Sequence, residues 1–194
     1  MARGIARQLG SPLVSSTISR LLVDLNRSLG SPGLHSENIR MLPVKNRHEI
    51  VERYYLPIRA RAEAVIDHAV TRGECVIHIS SHSFTPELAG VVRQADMGLL
   101  YDPARIGEVA LCSAWQACLK DQESGLRVRR NYPYTGKSDG FTAFLRRRFS
   151  AIEYIGIELE LNQDFFFKGG QAWRQRRALV IKSLAQAIGQ WRNK

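Results

Sequence analysis

With 194 residues, 44% of them hydrophobic, the chain can bury one sizeable core, and its length predicts a single domain over 1–194. It has no run of about 18 apolar residues, and its opening Met-Ala-Arg-Gly-Ile-Ala-Arg has no apolar centre, which argues against a membrane span and a secretory leader and predicts a soluble, cytoplasmic protein. The formal charge of +10 points to an anionic partner, whether nucleic acid, an acidic surface or a small carboxylate, and no nucleic-acid motif accompanies it.

In chain order, a short helix near 3–9 is predicted to end at Gly10, and the Val-, Ile- and Thr-rich stretch after Pro12 predicts a first strand near 12–17. Residues 20–25 fit a second strand or a turn of helix, and 28–46 read as a long loop without periodicity. From Arg47 to Arg72 the apolar residues recur at three and four, the stripe of an amphipathic helix that Gly73 stops. Cys75 to Phe84 is a compact β-branched run predicting a buried strand. A helix over 104–122, a strand near 126–130, a turn-rich stretch from Asn131 to Gly140, a helix over 142–149, a strand over 154–161 and a closing helix over 171–191 follow. Strands alternating with long helices predict an α/β sheet covered by helices on its faces. The runs Arg146-Arg147-Arg148 and Arg174 to Arg177 are expected on solvated helix faces. Cys75, Cys112 and Cys118 are odd in number and lack CxxC spacing, so they predict buried, inert thiols rather than disulfides or a zinc knuckle.

Three groups of residues could carry chemistry. His78 and His82 have HxxxH spacing, but in a strand they lie about 13 Å apart and cannot share one ion. His82, at the strand's end, is the better ligand candidate, because open α/β sheets bind ligands at the carboxyl ends of their strands; a hydrogen-bonded structural histidine is the bland alternative. Glu158 and Glu160, two apart on a strand, point to the same face. Carboxylates placed there imply a site or an arginine partner, since burying them unpaired is costly. Asn26-Arg27 could hold a carboxylate through an amide donor and a guanidinium fork, or could serve a structural salt bridge.

Five ordered blocks resemble the N-formylglutamate amidohydrolase family: Ser19-Arg20 with Asp24-Leu25-Asn26-Arg27; His82-Ser83-Phe84-Thr85-Pro86; Asp96 through Asp102; Asn131-Tyr132-Pro133-Tyr134 with Asp139-Gly140 and Thr142; and Gly156 through Gln163. The resemblance implies a three-layer α/β fold, a mixed sheet with helices on both faces, similar to zinc exopeptidases. It implies zinc bound by His82, a substrate carboxylate held by Asn26 and Arg27, and Glu160 as general base with Glu158 as the alternative. Arg93 and Arg105 are further candidates for holding a dianionic substrate, with a structural salt bridge as the alternative for each. The implied partner is a small anionic amino-acid derivative, and the implied reaction is hydrolysis of N-formylglutamate or an analogue. An inactive relative that binds such an anion is the alternative. Family members begin with a strand and a histidine-bearing loop that help to bind the metal. This sequence matches from beyond that block, so the expectation is a sheet without its N-terminal strand and a zinc site in which only His82 is mapped, with His35 and Glu37 as the remaining loop candidates.

Overall fold

The computed structural model describes residues 1–192. Helix α1, Ala2–Leu9, ends where Gly10 turns left-handed at φ 60°, a conformation glycine adopts without steric cost. Residues 12–17 belong to no helix or strand, so the strand predicted there is absent. Their β-branched composition favours a pleated surface only when a neighbouring strand supplies one. The long loop holds a single turn of helix, α2 (Glu37–Arg40), and the amphipathic stripe becomes α3 (Val44–Ile50), a π-helical segment (Val51–Tyr55) and α4 (Leu56–Thr71). Pro57 explains the interruption: it has no N–H for the preceding turn, and the wider π turn absorbs the mismatch.

The main sheet is ordered β1 (Val76–Phe84), β6 (Tyr154–Asn162), β4 (Met97–Leu100), β5 (Val128–Arg130). β1 runs parallel to β6, β6 antiparallel to β4, and β4 parallel to β5. The mixed sheet is as expected, except that β4 was not read as a strand. Its four apolar residues, one of them glycine, are too short a run for periodicity to identify. A two-stranded hairpin, β2 (Glu87–Leu88) and β3 (Val91–Val92), turns through Ala89 and Gly90, both at positive φ, and was likewise not predicted. So was α7 (Asp164–Lys168).

All nine residues of β6 are buried, and their alternation divides the interior. Ile155, Ile157, Leu159 and Leu161 enter a core with Trp115 and Leu119 of α5 (Ile106–Gln122) and Val180 and Leu184 of α8 (Gly170–Arg192). There the Trp115 indole N–H donates to Ser183 Oγ at 3.0 Å. On the other face Tyr154 packs with Ile66 of α4 and with Phe141, Leu145 and Phe149 in and beside α6 (Phe141–Arg148). Helices thus cover both faces, giving three layers.

Two features differ from the sequence expectation. Arg146 lies in no solvated face: it is 9% exposed, its Nε donates to the fully buried Glu108 at 2.9 Å, and it also donates to the carbonyls of Gly136 and Gly156. Of the three cysteines, Cys112 and Cys118 are buried as predicted but Cys75 is exposed. Gly98 of β4 is obligatory for packing, because a Cβ there would stand 1.9 Å from the Tyr132 carbonyl oxygen.

Candidate active site at the carboxyl end of the central strand

In the β1–β6 register Ser80 lies opposite Glu158 and His82 opposite Glu160. Alternation then places all four side chains on one face, in two rows about 4.8 Å apart. The strand conformation of 76–84 separates His78 from His82 as expected. His78 Nδ1 meets the Tyr154 hydroxyl at 2.7 Å. Burial, with help from His82 and Arg146, lowers its pKa to about 4, so His78 is a neutral packing residue.

His82 Nε2 lies 2.7 Å from Ser80 Oγ. Desolvation depresses its pKa, while the carboxylates of Glu158 and Asp24 pull the other way. Glu158 Oε1 accepts a 2.5 Å hydrogen bond from Thr142 Oγ1 at the start of α6. Glu160 is 6% exposed, and its Oε2 is buried with no hydrogen-bond partner among the described residues. Desolvation above all, then the neighbouring Glu158, raises its pKa to about 7, against the opposing pull of Arg20 and Arg93. Charge repulsion between adjacent carboxylates and loss of water act together here.

Asn26 reaches this face from the first long loop. Its Oδ1 accepts from the Phe141 N–H at 2.9 Å, which leaves the amide nitrogen as a donor. The group sits against Glu158 across Gly140, whose absent Cβ would be 3.3 Å from Asn26 Nδ2 and 3.4 Å from Glu158 Oε1. The loop is held by Asp24, which accepts from the Asn26 N–H and from Arg20, and by Arg59, which donates to the Leu25 carbonyl and lies 3.9 Å over the Phe141 ring. Arg27 donates to the Asp139 carbonyl at 2.8 Å, leaving further guanidinium N–H groups for an anion. Arg93 is 9% exposed, donates to the Tyr134 hydroxyl at 3.0 Å and lies over the rings of Tyr134 and Phe84.

Arg105 takes a structural role, through carbonyls rather than a salt bridge. Its guanidinium donates to the carbonyls of Arg146, Phe149, Ser150 and Tyr154, the last of these at the beginning of β6. That is the opposite end from Glu160, and Arg105 holds the end of α6. His35 is also occupied, with Nδ1 2.9 Å from the Leu22 carbonyl, and Glu37 is exposed in α2. Conversely, the sequence reading gave no role to Ser80, to Thr142 or to Arg20, whose charge acts on both His82 and Glu160. Residues 20–24 contain a turn and no helix, so helical spacing gave no signal for the last.

A zinc centre ordinarily takes three protein ligands and leaves one position for water. Among the described residues no three His, Cys, Asp or Glu side chains converge in that way. His82 Nε2 is engaged by Ser80 and Glu158 Oε1 by Thr142. Even counting His82, whose Nε2 is shared with Ser80, alongside the unpartnered oxygen of Glu160, the donors do not make a full set.

No curated protein matches the chain. Among solved structures the fold is similar to a gene product of Agrobacterium tumefaciens, with a TM-score of 0.80 at 24% identity over 97% of this chain and 75% of the other. It is also similar to the N-formylglutamate amidohydrolase of Ralstonia eutropha, with a TM-score of 0.77 at 19% identity over 99% of this chain and 80% of the other. The model of the N-formylglutamate amidohydrolase family matches residues 1–167, a span containing every site residue described above, and on that match the chain belongs to this family.

Proposed function

We propose that the chain is an amidohydrolase acting on the amide C–N bond of an N-acyl amino acid with an acidic side chain, N-formylglutamate or a close analogue. The observation that carries this reading is Glu160: a buried carboxylate with a free oxygen, a pKa of about 7, and His82 beside it in the register. A base poised near neutrality suits proton removal from an attacking water.

In this mechanism Asn26 Nδ2 and Arg27 hold the substrate's carboxylate, with Arg93 supplying positive charge near Glu160. Glu160 takes a proton from water as its oxygen adds to the acyl carbon. The same proton goes to the leaving nitrogen as the C–N bond breaks, giving formate and the free amino acid. Glu158, fixed by Thr142, is the less apt base because one of its oxygens is already engaged. The zinc implied by the family resemblance lacks a complete ligand set among the described residues, and these steps are those of the side chains alone.

The test is formate release from N-formyl-L-glutamate by the purified chain, with added zinc or with chelator, compared with Glu160→Gln and His82→Ala. Loss of turnover by about 10²–10⁴-fold in Glu160→Gln is the expected result. The missing third ligand favours one other reading, a protein that binds the anion without turnover. Saturable binding of N-formyl-L-glutamate by calorimetry, with no formate under any metal condition, would establish that reading and overturn the first.

A further inference from the structure

One stretch of the chain carries charge of a single sign. From Phe165 to Arg192 there is no Asp or Glu, against Lys168, Arg174, Arg176, Arg177, Lys182 and Arg192. Lys168 pairs with Asp164 at 2.6 Å and Arg176 with Glu123 at 2.9 Å, whereas Arg174, Arg177 and Lys182 form no ion pair among the described residues. Gln171, Arg174, Ala178 and Lys182 are all exposed. Their spacing at three and four sets them on one face of α8, opposite Val180, Leu184 and Ala187, which enter the core. Arg177 reaches across to α1, its Nη2 3.7 Å from where a Cβ on Gly4 would stand. α1 adds Arg3 and Arg7, both exposed and four apart.

Apolar surface stands at the start of this cationic face. Two successive left-handed glycines, Gly169 at φ 61° and Gly170 at φ 52°, turn the chain between α7 and α8, conformations that glycine adopts without steric cost. Before them, in α7, Phe166 is 60% and Phe167 69% exposed. The Phe166 ring meets Trp173 of α8 at 6.0 Å and Phe167 at 5.9 Å, both at steep angles. A lone exposed ring is ordinary, but adjacent ones joined to a face without carboxylates mark a surface made for a partner.

We propose that the α7–α8 corner docks on an anionic lipid surface. Phe166 and Phe167 enter the boundary between headgroups and hydrocarbon, while Arg174, Arg177 and Lys182, with Arg3 and Arg7, face the lipid phosphates. The chemistry is complementary on both counts: phenyl rings have no polar handle to keep in water, and unpaired cations gather at an anionic leaflet. Neither interaction alone holds a protein to a membrane, and the two together do. A single-stranded nucleic acid fits the corner less well, because bases stack on open ring faces. Here the rings meet at steep angles, and the guanidiniums of Arg176 and Arg177 lie over Phe165 at 4.3 Å and Trp173 at 5.9 Å. The inference is independent of the hydrolytic reading.

The probe is a vesicle of equimolar phosphatidylcholine and phosphatidylglycerol, with phosphatidylcholine alone as the control, and binding of the full chain is measured by co-sedimentation. The expected result is saturable binding to the mixed vesicles that weakens with added salt, and none to the control. A variant carrying both Phe166→Ala and Phe167→Ala should bind at least about tenfold more weakly. One carrying Arg174→Gln and Lys182→Gln should lose about thirtyfold, at roughly fivefold for each cation. All four side chains are exposed, and unchanged thermal unfolding shows that the variants fold. Absence of binding to the mixed vesicles, equal binding to both kinds, or binding unaffected in the folded phenylalanine variant would overturn the proposal. So would tighter binding of single-stranded RNA that depends on the same side chains, or self-association in the absence of lipid that the phenylalanine variant loses. The first would identify a nucleic acid as the occupant and the second another copy of the chain.

Discussion

Glu160 couples the site to stability. Its folded-state pKa of about 7 stands above the ordinary 4.5, so between those values the unfolded chain releases a proton that the folded chain keeps. Its contribution is therefore fully present below about pH 4.5 and is lost as pH rises through 7, amounting to about 3 kcal/mol. Glu160→Gln, which cannot titrate, should be more stable than the parent by up to that amount at alkaline pH and no different at acid pH. Urea unfolding across this range checks it, and identical pH slopes for the two proteins would sink the idea. Thr142→Val should cost about 1–3 kcal/mol by stripping a donor from a buried carboxylate, with Thr142→Ser recovering most of it in the same assay. Spacing made Glu158 and Glu160 legible as a same-face pair, and His82 legible as a strand-end histidine. It could not distinguish the two glutamates, because the difference lies in partners contributed from elsewhere: Thr142 engages one and nothing described engages the free oxygen of the other. The two readings of Arg105 stayed open for the same reason, since four carbonyl acceptors from 146–154 are invisible to a reading of its own neighbourhood.

Among the elements, all the long periodic segments were readable, as were the short α1, β5 and α6, which turn residues bound, whereas β2, β3, β4 and α7 were not. The helices at 44–71, 106–122 and 170–192 and the strands at 76–84 and 154–162 carry their periodicity over many residues. β4 is defined by the strands that flank it, not by its own four residues. Two substitutions test how tightly these elements are joined. Gly98→Ala drives a methyl into the Tyr132 carbonyl, and a loss above about 4 kcal/mol is expected from thermal or urea unfolding; a mild effect would mean the loop beyond β5 can withdraw. Arg146→Met leaves Glu108 charged and unpaired in a fully buried position. The expected cost is about 3–5 kcal/mol, and a double variant that also carries Glu108→Gln should recover part of it. A full double-mutant cycle measures the coupling, and strict additivity would show that the pair does not act as a unit. Arg146 looked like surface charge because it stands in a run of three arginines, but only Arg147 and Arg148 are exposed.

At the scale of the molecule, the charge of +10 is unevenly used. Arg59, Arg105 and Arg146 serve the interior and bind carbonyls, a carboxylate or aromatic faces, while Arg20, Arg27 and Arg93 gather near the site. A small dianion should therefore bind there with moderate salt dependence, since only a few screened charges face it. No helix among the described residues is long and apolar enough to cross a membrane. The three tryptophans occupy three different settings. Trp115 is fully buried with its indole N–H bonded to Ser183, Trp173 meets Phe166 edge-on, and Trp191 stands in the wall beside β1. The chain thus carries its own optical reporters at fixed addresses. A change in emission or quenching confined to Trp191 marks an event at the sheet edge, one confined to Trp173 marks the α7–α8 corner, and only disruption of the core should move all three together.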